Sequence, residues 1–373
     1  MSFSVARIVL LVAVCVPLRA QEAAPSRPRE TFPPTRPAPE APAPAPLPET
    51  PAPTAPPSPE TPPTADAPPA PTPAATPPSP ETPPVAEAPP SVGSWLEAQV
   101  ELHRRGFSCG GIDGTFGPQT RAALCAFQRS VELPETGQLD EATHDKLRLT
   151  APALTEHTFT TEELDGLRPI PDTWLGKSQQ TTLAYATALE MVAERYRAAP
   201  SFLRRLNPDV DWNAVAAGVA IKVPAVERAT ITGRAARITI RLEAHELEVL
   251  DADGRVLAHF PVSIARDVAK RPVGELHVAV VIPDPNYTFD PAVFPESAEG
   301  RELGRKLIIP PGPNNPVGKA WIGLDRPGYG IHGTPDPENV GRTESHGCFR
   351  LANWDALTLL KLATVGLPVI VEP

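Results

Sequence analysis

The chain has 373 residues, 52 of them proline, with 5% aromatic and 41% hydrophobic residues and a formal net charge of −10. That proline excess is incompatible with one compact globule, and setting aside the first 90 residues, where it concentrates, leaves about 280 for folded domains. An acidic balance without any dense Lys/Arg run excludes the electrostatic footprint of a nucleic-acid binder.

Arg7 precedes an apolar run of nine residues from Ile8 to Val16, followed by Pro17, Leu18, Arg19 and Ala20. A charged start, a hydrophobic centre and a small residue before a cut predict a signal peptide over 1–20, cleaved after Ala20. The run falls well short of the ~20 residues that span a bilayer, and no later segment is long enough, so no transmembrane segment is expected. Cys15 offers a lipid anchor as the alternative, but Val14 stands where a small residue is needed. The mature protein is expected to be secreted across the inner membrane, into the periplasm or cell wall.

Residues 21–92 are almost entirely Pro, Ala, Thr, Ser and Glu, with 28 prolines between Gln21 and Pro90. PPSPETPPTADAPP from Pro56 to Pro69 returns as PPSPETPPVAEAPP from Pro77 to Pro90. Such a tract cannot build a core and reads as a disordered Pro-rich linker; at ~3.1 Å per residue in polyproline II it reaches up to roughly 200 Å. A docking site for a proline-recognising domain is the alternative.

Globular composition begins near Ser94. Leu96, Val100 and Leu102 predict one short helix and Ala122, Leu124 and Phe127 another, joined by a connector with Asp113, Gly114, Gly117 and Pro118; a third helix follows from about Asp140 to Leu147. The run RRGF…IDGTFGPQTRAAL…FQ resembles the small all-α, three-helix peptidoglycan-binding domain, here over 93–149, with a purely structural helical module as the alternative. Between Leu154 and Val226, Leu189, Val192 and Ala193 mark a helix, and Phe202, Leu203 and Leu206 a second. Asn207-Pro208 breaks the pattern before a strand from Ala220 to Val223. The segment 175–226 is similar to an α+β lysin-motif domain, although the expected Tyr-x-Val strand and Gly-Asp turn are missing around Tyr185. It is either a degenerate glycan-binding module or a packing spacer.

From residue 236 the character changes to short strands: Arg237 to Leu242, Glu246 to Leu250, Val256 to Ile264 after an Asp253-Gly254 turn, Leu276 to Ile282, Leu307 to Ile309, Ala320 to Leu324 and Pro368 to Val371, with a helix from about Asn353 to Ala363. Many short strands with turns predict a mainly β domain, an antiparallel sandwich or barrel.

Export changes what the cysteines mean. With Cys15 lost, Cys109 and Cys125 form a candidate disulfide closing a loop of about 15 residues, its stabilisation on the order of 3 kcal/mol. Two buried thiols are the alternative. Cys348 is left over, in SHGCFRL from Ser345 to Leu351, with YGIHGT from Tyr329 to Thr334 just upstream. A thiol nucleophile needs a base, a group orienting that base and donors for an oxyanion, and these two loops contain such parts. His332, His346 and Cys348 as zinc ligands are the rival arrangement; a motivated further ligand is missing, so no metal or cofactor is expected.

The run NPVGKAWIGLDRPGYGIHGTPDPENVGRTESHGCFRL, with 12 residues between His332 and Ser345 and RPVGELHV upstream, resembles the catalytic domain of L,D-transpeptidases over 236–373. The resemblance implies Cys348 as nucleophile, His332 as base and the Gly333 carbonyl as the group orienting it. By the same resemblance Ser345, His346 and Gly347 shape the loop, the Cys348 backbone N–H with a neighbour holds the oxyanion, and Arg350 orients a carboxylate or is structural. It also implies peptidoglycan as partner and acyl transfer on a tetrapeptide stem, with release of D-alanine. An L,D-carboxypeptidase and a non-catalytic wall-binding protein are the alternatives. A base of ordinary pKa would lose activity on protonation near ~6.5, and an activated thiol is expected to have a depressed pKa.

Overall fold

The computed structural model describes residues 90–226, 229, 231–294, 296–342 and 347–373. The expected signal peptide, and the expected linker up to residue 89, lie outside the described residues.

Helix α1 (Trp95–Arg104) starts where the Ser94 hydroxyl accepts from the Glu97 amide, and α2 (Pro118–Ser130) starts with proline after Gly117, where the missing N–H costs nothing. Helix α3 (Glu141–Lys146) is capped by Asp140. Ala98, Leu102, Ala123, Leu124, Phe127 and Leu147 close the core between them. The connector is held by one buried side chain: Gln99 donates to Asp113 and Thr115 and accepts from the Asp113 and Gly114 amides. Cys109 and Cys125 are both free, which corrects the expected disulfide. Cys109 is buried among the core residues, whereas α2 turns Cys125 toward Arg121 and the 135–137 loop, with Sγ 3.9 Å from the Glu135 carbonyl.

The next region is framed by β1 (Leu154–Thr158) and β2 (Ala220–Pro224), paired antiparallel from Leu154↔Pro224 to Thr158↔Ala220. Between them lie α4 (Thr161–Asp165), α5 (Trp174–Ser178), α6 (Ala188–Arg195) and α7 (Pro200–Leu206). Asn207 ties the end of α7 to β2, donating to the Leu203 and Lys222 carbonyls and accepting from the Lys222 amide. No strand forms at Tyr185; the strand that pairs with β2 is β1, about thirty residues upstream. Only His157 of β1 is buried, so its sequence lacks the apolar alternation that marks a strand. Residues 160–187 are looped out between β1 and α6.

The last region holds β3 (Arg237–Arg241), β4 (Glu246–Leu250), β5 (Val256–Pro261), β6 (Gly274–Pro283), β7 (Tyr287–Phe289), α8 (Ala298–Leu303), β8 (Leu307–Ile309), β9 (Ala320–Leu324), β10 (Gly330–His332), β11 (Phe349–Arg350), α9 (Asn353–Leu362) and β12 (Pro368–Glu372). Eight strands form one sheet in the order β11-β10-β9-β6-β12-β3-β4-β5, while β7 and β8 pair separately as a hairpin. Of the expected antiparallel sandwich or barrel, the mainly β, barrel-like character holds, but the sheet is mixed and not purely antiparallel. Strand β12 returns after α9 to lie between β6 and β3, which makes it parallel to β3, and β10 pairs parallel with β11. The sheet curls until its edges meet: beyond β5, Ser263 and Arg350 exchange backbone hydrogen bonds at 2.9 and 3.0 Å. Ile240, Val249, Phe260, Ile322, Ile331, Phe349 and Leu359 all share the resulting core.

Strand β5 is buried along its whole length because the helical region covers it. Ser108 donates to the His259 carbonyl and His259 to the Gly106 carbonyl, satisfying a strand edge that would otherwise invite pairing. Arg129 of α2 bonds Glu248 of β4, and the Ser108 hydroxyl donates to Asp355 of α9. No helix among the described residues is long and apolar enough to cross a membrane.

Candidate active site

His332 is the last residue of β10, flanked by Trp321 of β9 and Arg350 of β11 in register. The parallel β10–β11 pair explains how two loops 16 residues apart in sequence meet. Leu351 donates to the His332 carbonyl at 2.8 Å, which sets the segment carrying Cys348 beside the histidine strand. Gly330 is required here, because a side chain would enter the Trp321 indole that stacks on the His332 ring with centroids 5.6 Å apart.

The His332 ring is buried, and its Nδ1 lies 2.6 Å from the Gly333 carbonyl. A carbonyl only accepts, so Nδ1 carries the proton and Nε2 of the neutral ring is left with a lone pair. Burial, opposed by that hydrogen bond and reinforced by Arg350, holds the imidazole near pKa 4 instead of the 6.5 expected from the residue type. Asn353 supports the arrangement. Its Oδ1 accepts from the Lys319 amide at 3.1 Å and its Nδ2 donates to Glu194 of α6 at 2.7 Å. A side chain at Gly333 would overlap that same Oδ1.

Cys348 is half-buried, and its thiol donates to the Gly328 carbonyl with Sγ 3.5 Å away. Burial pushes its pKa up, with the Gly330 amide and Arg350 pulling the other way, so the expected depressed thiol is reversed. The resting pair is a neutral thiol and a neutral imidazole. Gly347 and Arg350 line the same cleft; Ser345 and His346 lie outside the described residues.

The cleft has a volume of about 840 Å³, and Cys348 and His332 are among its lining. Trp321, Tyr287, Phe289, Phe294 and Trp174 form aromatic walls that sequence reasoning did not single out. Burial first, and then the nearby Cys348, pushes the Tyr287 phenol up to about 12. The aromatic residues spread over 148 positions share no local pattern, although Trp321 falls within the quoted motif run. A second cleft of about 960 Å³ lies between α1, β1 and β5, and neither His332 nor Cys348 reaches it.

Comparison with known proteins adds the lineage. Residues 235–371 match the model of the YkuD L,D-transpeptidase catalytic domain, and residues 92–147 that of a peptidoglycan-binding domain. A protein named as L,D-transpeptidase YqjB from Bacillus subtilis is 30% identical over 139 residues, covering 36% of this chain and 69% of its own length. One named as L,D-transpeptidase YkuD from Bacillus licheniformis is 26% identical over 185 residues, covering 50% of this chain and 93% of its own. A solved L,D-transpeptidase from Mycobacterium smegmatis is 22% identical, with a TM-score of 0.30 over 43% of this chain, which spans 65% of that structure. The chain belongs to the L,D-transpeptidase family and is an enzyme of that family.

Proposed function

We propose that the protein is an exported cysteine L,D-transpeptidase that remodels peptidoglycan. The observation that carries this reading is one cleft holding a thiol together with an imidazole whose Nε2 is free of a proton. Cys348 gives its proton to His332 Nε2 as sulfur attacks the carbonyl carbon of the third residue of a tetrapeptide stem. The backbone N–H of Cys348 and a neighbouring amide hold the oxyanion. Collapse breaks the bond to D-alanine, whose nitrogen takes the proton from His332, and a thioester remains on Cys348. An amine of a second stem then attacks the thioester, losing a proton to His332, and the thiol is restored. Arg350 lies at the cleft and suits a substrate carboxylate.

The two modules ahead of the catalytic domain hold the enzyme on its polymer. The helical domain carries the peptidoglycan-binding match. The strand–helix–helix–strand unit of β1, α6, α7 and β2 suits a lysin-motif reading that begins at Leu154 and carries an insertion over 160–187. Together with the Pro-rich tract they raise the local concentration of stems. Mass spectrometry of purified protein incubated with a disaccharide-tetrapeptide tests the reading. Loss of D-alanine with dimer formation, abolished in Cys348→Ala, is expected; loss without dimers identifies the carboxypeptidase, with water as acceptor. No reaction leaves wall binding as the function.

A further inference from the structure

We propose that Trp174, which lies outside the catalytic domain, is a specificity-determining residue of the acyl-donor cleft, and that the insertion carrying it fixes the cleft's outer wall. This rests on the transpeptidase reading above. The β7–β8 hairpin pairs only Tyr287↔Ile309 to Phe289↔Leu307, outside the main sheet, and so short a ribbon is marginal without packing. Residues of the insertion supply that packing. Leu183 is buried with Phe289, Leu307 and Ile309, with Trp174 and Leu175 against them. The indole of Trp174 stacks on Phe289 with centroids 4.4 Å apart and planes 14° apart, and the Lys177 ammonium sits 5.2 Å from the indole centroid.

Polar contacts hold the same join. The Trp174 and Leu175 amides, at the start of α5, each donate to one oxygen of Glu299 of α8 at 2.8 Å. Such first-turn amides lack a partner within their own helix. Further along, Leu183 donates to the Pro311 carbonyl at 2.9 Å and accepts from the Asn314 amide at 3.1 Å. The insertion is thereby stitched both to α8, which connects the two strands, and to the loop that follows β8. Trp174 reaches the cleft that holds Cys348 and His332. An aromatic surface there adds apolar contact to a bound peptide stem, so a module ahead of the catalytic domain contributes to donor recognition as well as to wall attachment.

The test uses the full mature protein with free tetrapeptide and with disaccharide-tetrapeptide. Trp174→Ala is expected to raise KM for the tetrapeptide about tenfold with kcat little changed, as loss of an aromatic contact made before reaction does. Trp174→Phe is expected to retain most of the affinity, and Glu299→Gln, which loosens α5 without removing the ring, to fall between them. Alkylation of Cys348 by iodoacetamide without substrate should stay within about twofold of wild type, showing an intact site. A KM change seen only with the disaccharide substrate would place Trp174 against the glycan and overturn a stem contact. Unchanged kinetics, or a loss matched by slower alkylation, would overturn the proposal. Should wild type release no D-alanine, the transpeptidase reading fails by itself. The cleft assignment is then decided by protection: wild type shielded from iodoacetamide by tetrapeptide at about tenfold lower concentration than Trp174→Ala supports it, and equal protection or none overturns it.

Discussion

The pKa of His332 decides how the enzyme should respond to acid. A buried ring near pKa 4 stays neutral at every pH where an exposed histidine would titrate, and the raised Cys348 thiol stays protonated over the same range. In the mechanism proposed above the pair starts uncharged, so proton transfer would accompany attack. The rate of Cys348 acylation in a single turnover is therefore expected to be level from pH 5 to 8 and to fall as pH drops through about 4, because protonation removes the Nε2 lone pair. A midpoint near 6.5 would show a hydrated ring instead. Orientation matters as much as protonation, and Gly333 tests it. Its Cβ in Gly333→Ala would push on Asn353 Oδ1, moving the carbonyl that holds His332 Nδ1. Acylation is expected to slow on the order of a hundredfold, the cost of a misplaced base, with the thermal midpoint much less affected. A variant as fast as wild type would show that the carbonyl does not set the ring.

At the scale of elements, the join between the insertion and the hairpin turns on one glycine. Gly312 has φ +141°, and any Cβ there would overlap the Leu183 carbonyl. Gly312→Ala is expected to cost about 1–3 kcal/mol and to open the 174–183 segment to protease, read by thermal melting and limited proteolysis. An unchanged melt with unchanged cleavage would show that the join is not needed for stability. Elements of this kind were the hardest to read from sequence. Helices α1, α2, α6 and α7 and strands β3, β4, β5 and β9 carry apolar residues at regular spacing or sit beside clear breakers, and the two loops bearing His332 and Cys348 are marked by residue type alone. Strands β7, β10 and β11 have three, three and two residues, too short for any periodicity to develop. Strand β1 is polar, and α5 has five residues with none buried, its place set by Glu299 and Phe289 far along the chain. The aromatic wall is likewise assembled by tertiary packing. That is why the residues the candidate site brings together were legible and the shape of the cleft was not.

Across the whole molecule, Glu248 is where the helical domain and the catalytic sheet share a charge. Its side chain is 2% exposed and binds both Arg241, on neighbouring β3, and Arg129, on α2. Burial opposes its ionisation, yet the nearby His259 ring and hydrogen bonds from Arg241 hold the carboxyl at about 2. A pKa below the unfolded value of 4.5 means that the unfolded chain binds the proton first as pH falls. The stabilisation is thus complete above about pH 4.5 and is lost as pH falls toward 2, with a ceiling of about 3 kcal/mol at 1.36 kcal/mol per unit. Other buried groups titrate too, so a comparison with Glu248→Gln isolates the effect. The variant is expected to melt lower than wild type at pH 7, with the gap narrowing steadily between pH 5 and 3 as Glu248 of the unfolded wild-type chain gains its proton while the folded one stays ionised. Arg129→Ala, which leaves the Arg241 pair in place, should lose less. A gap between wild type and Glu248→Gln that stays constant over that range would mean that Glu248 stabilises by shape and packing, and that the helical domain is held on the sheet by the β5 edge contacts without the charge.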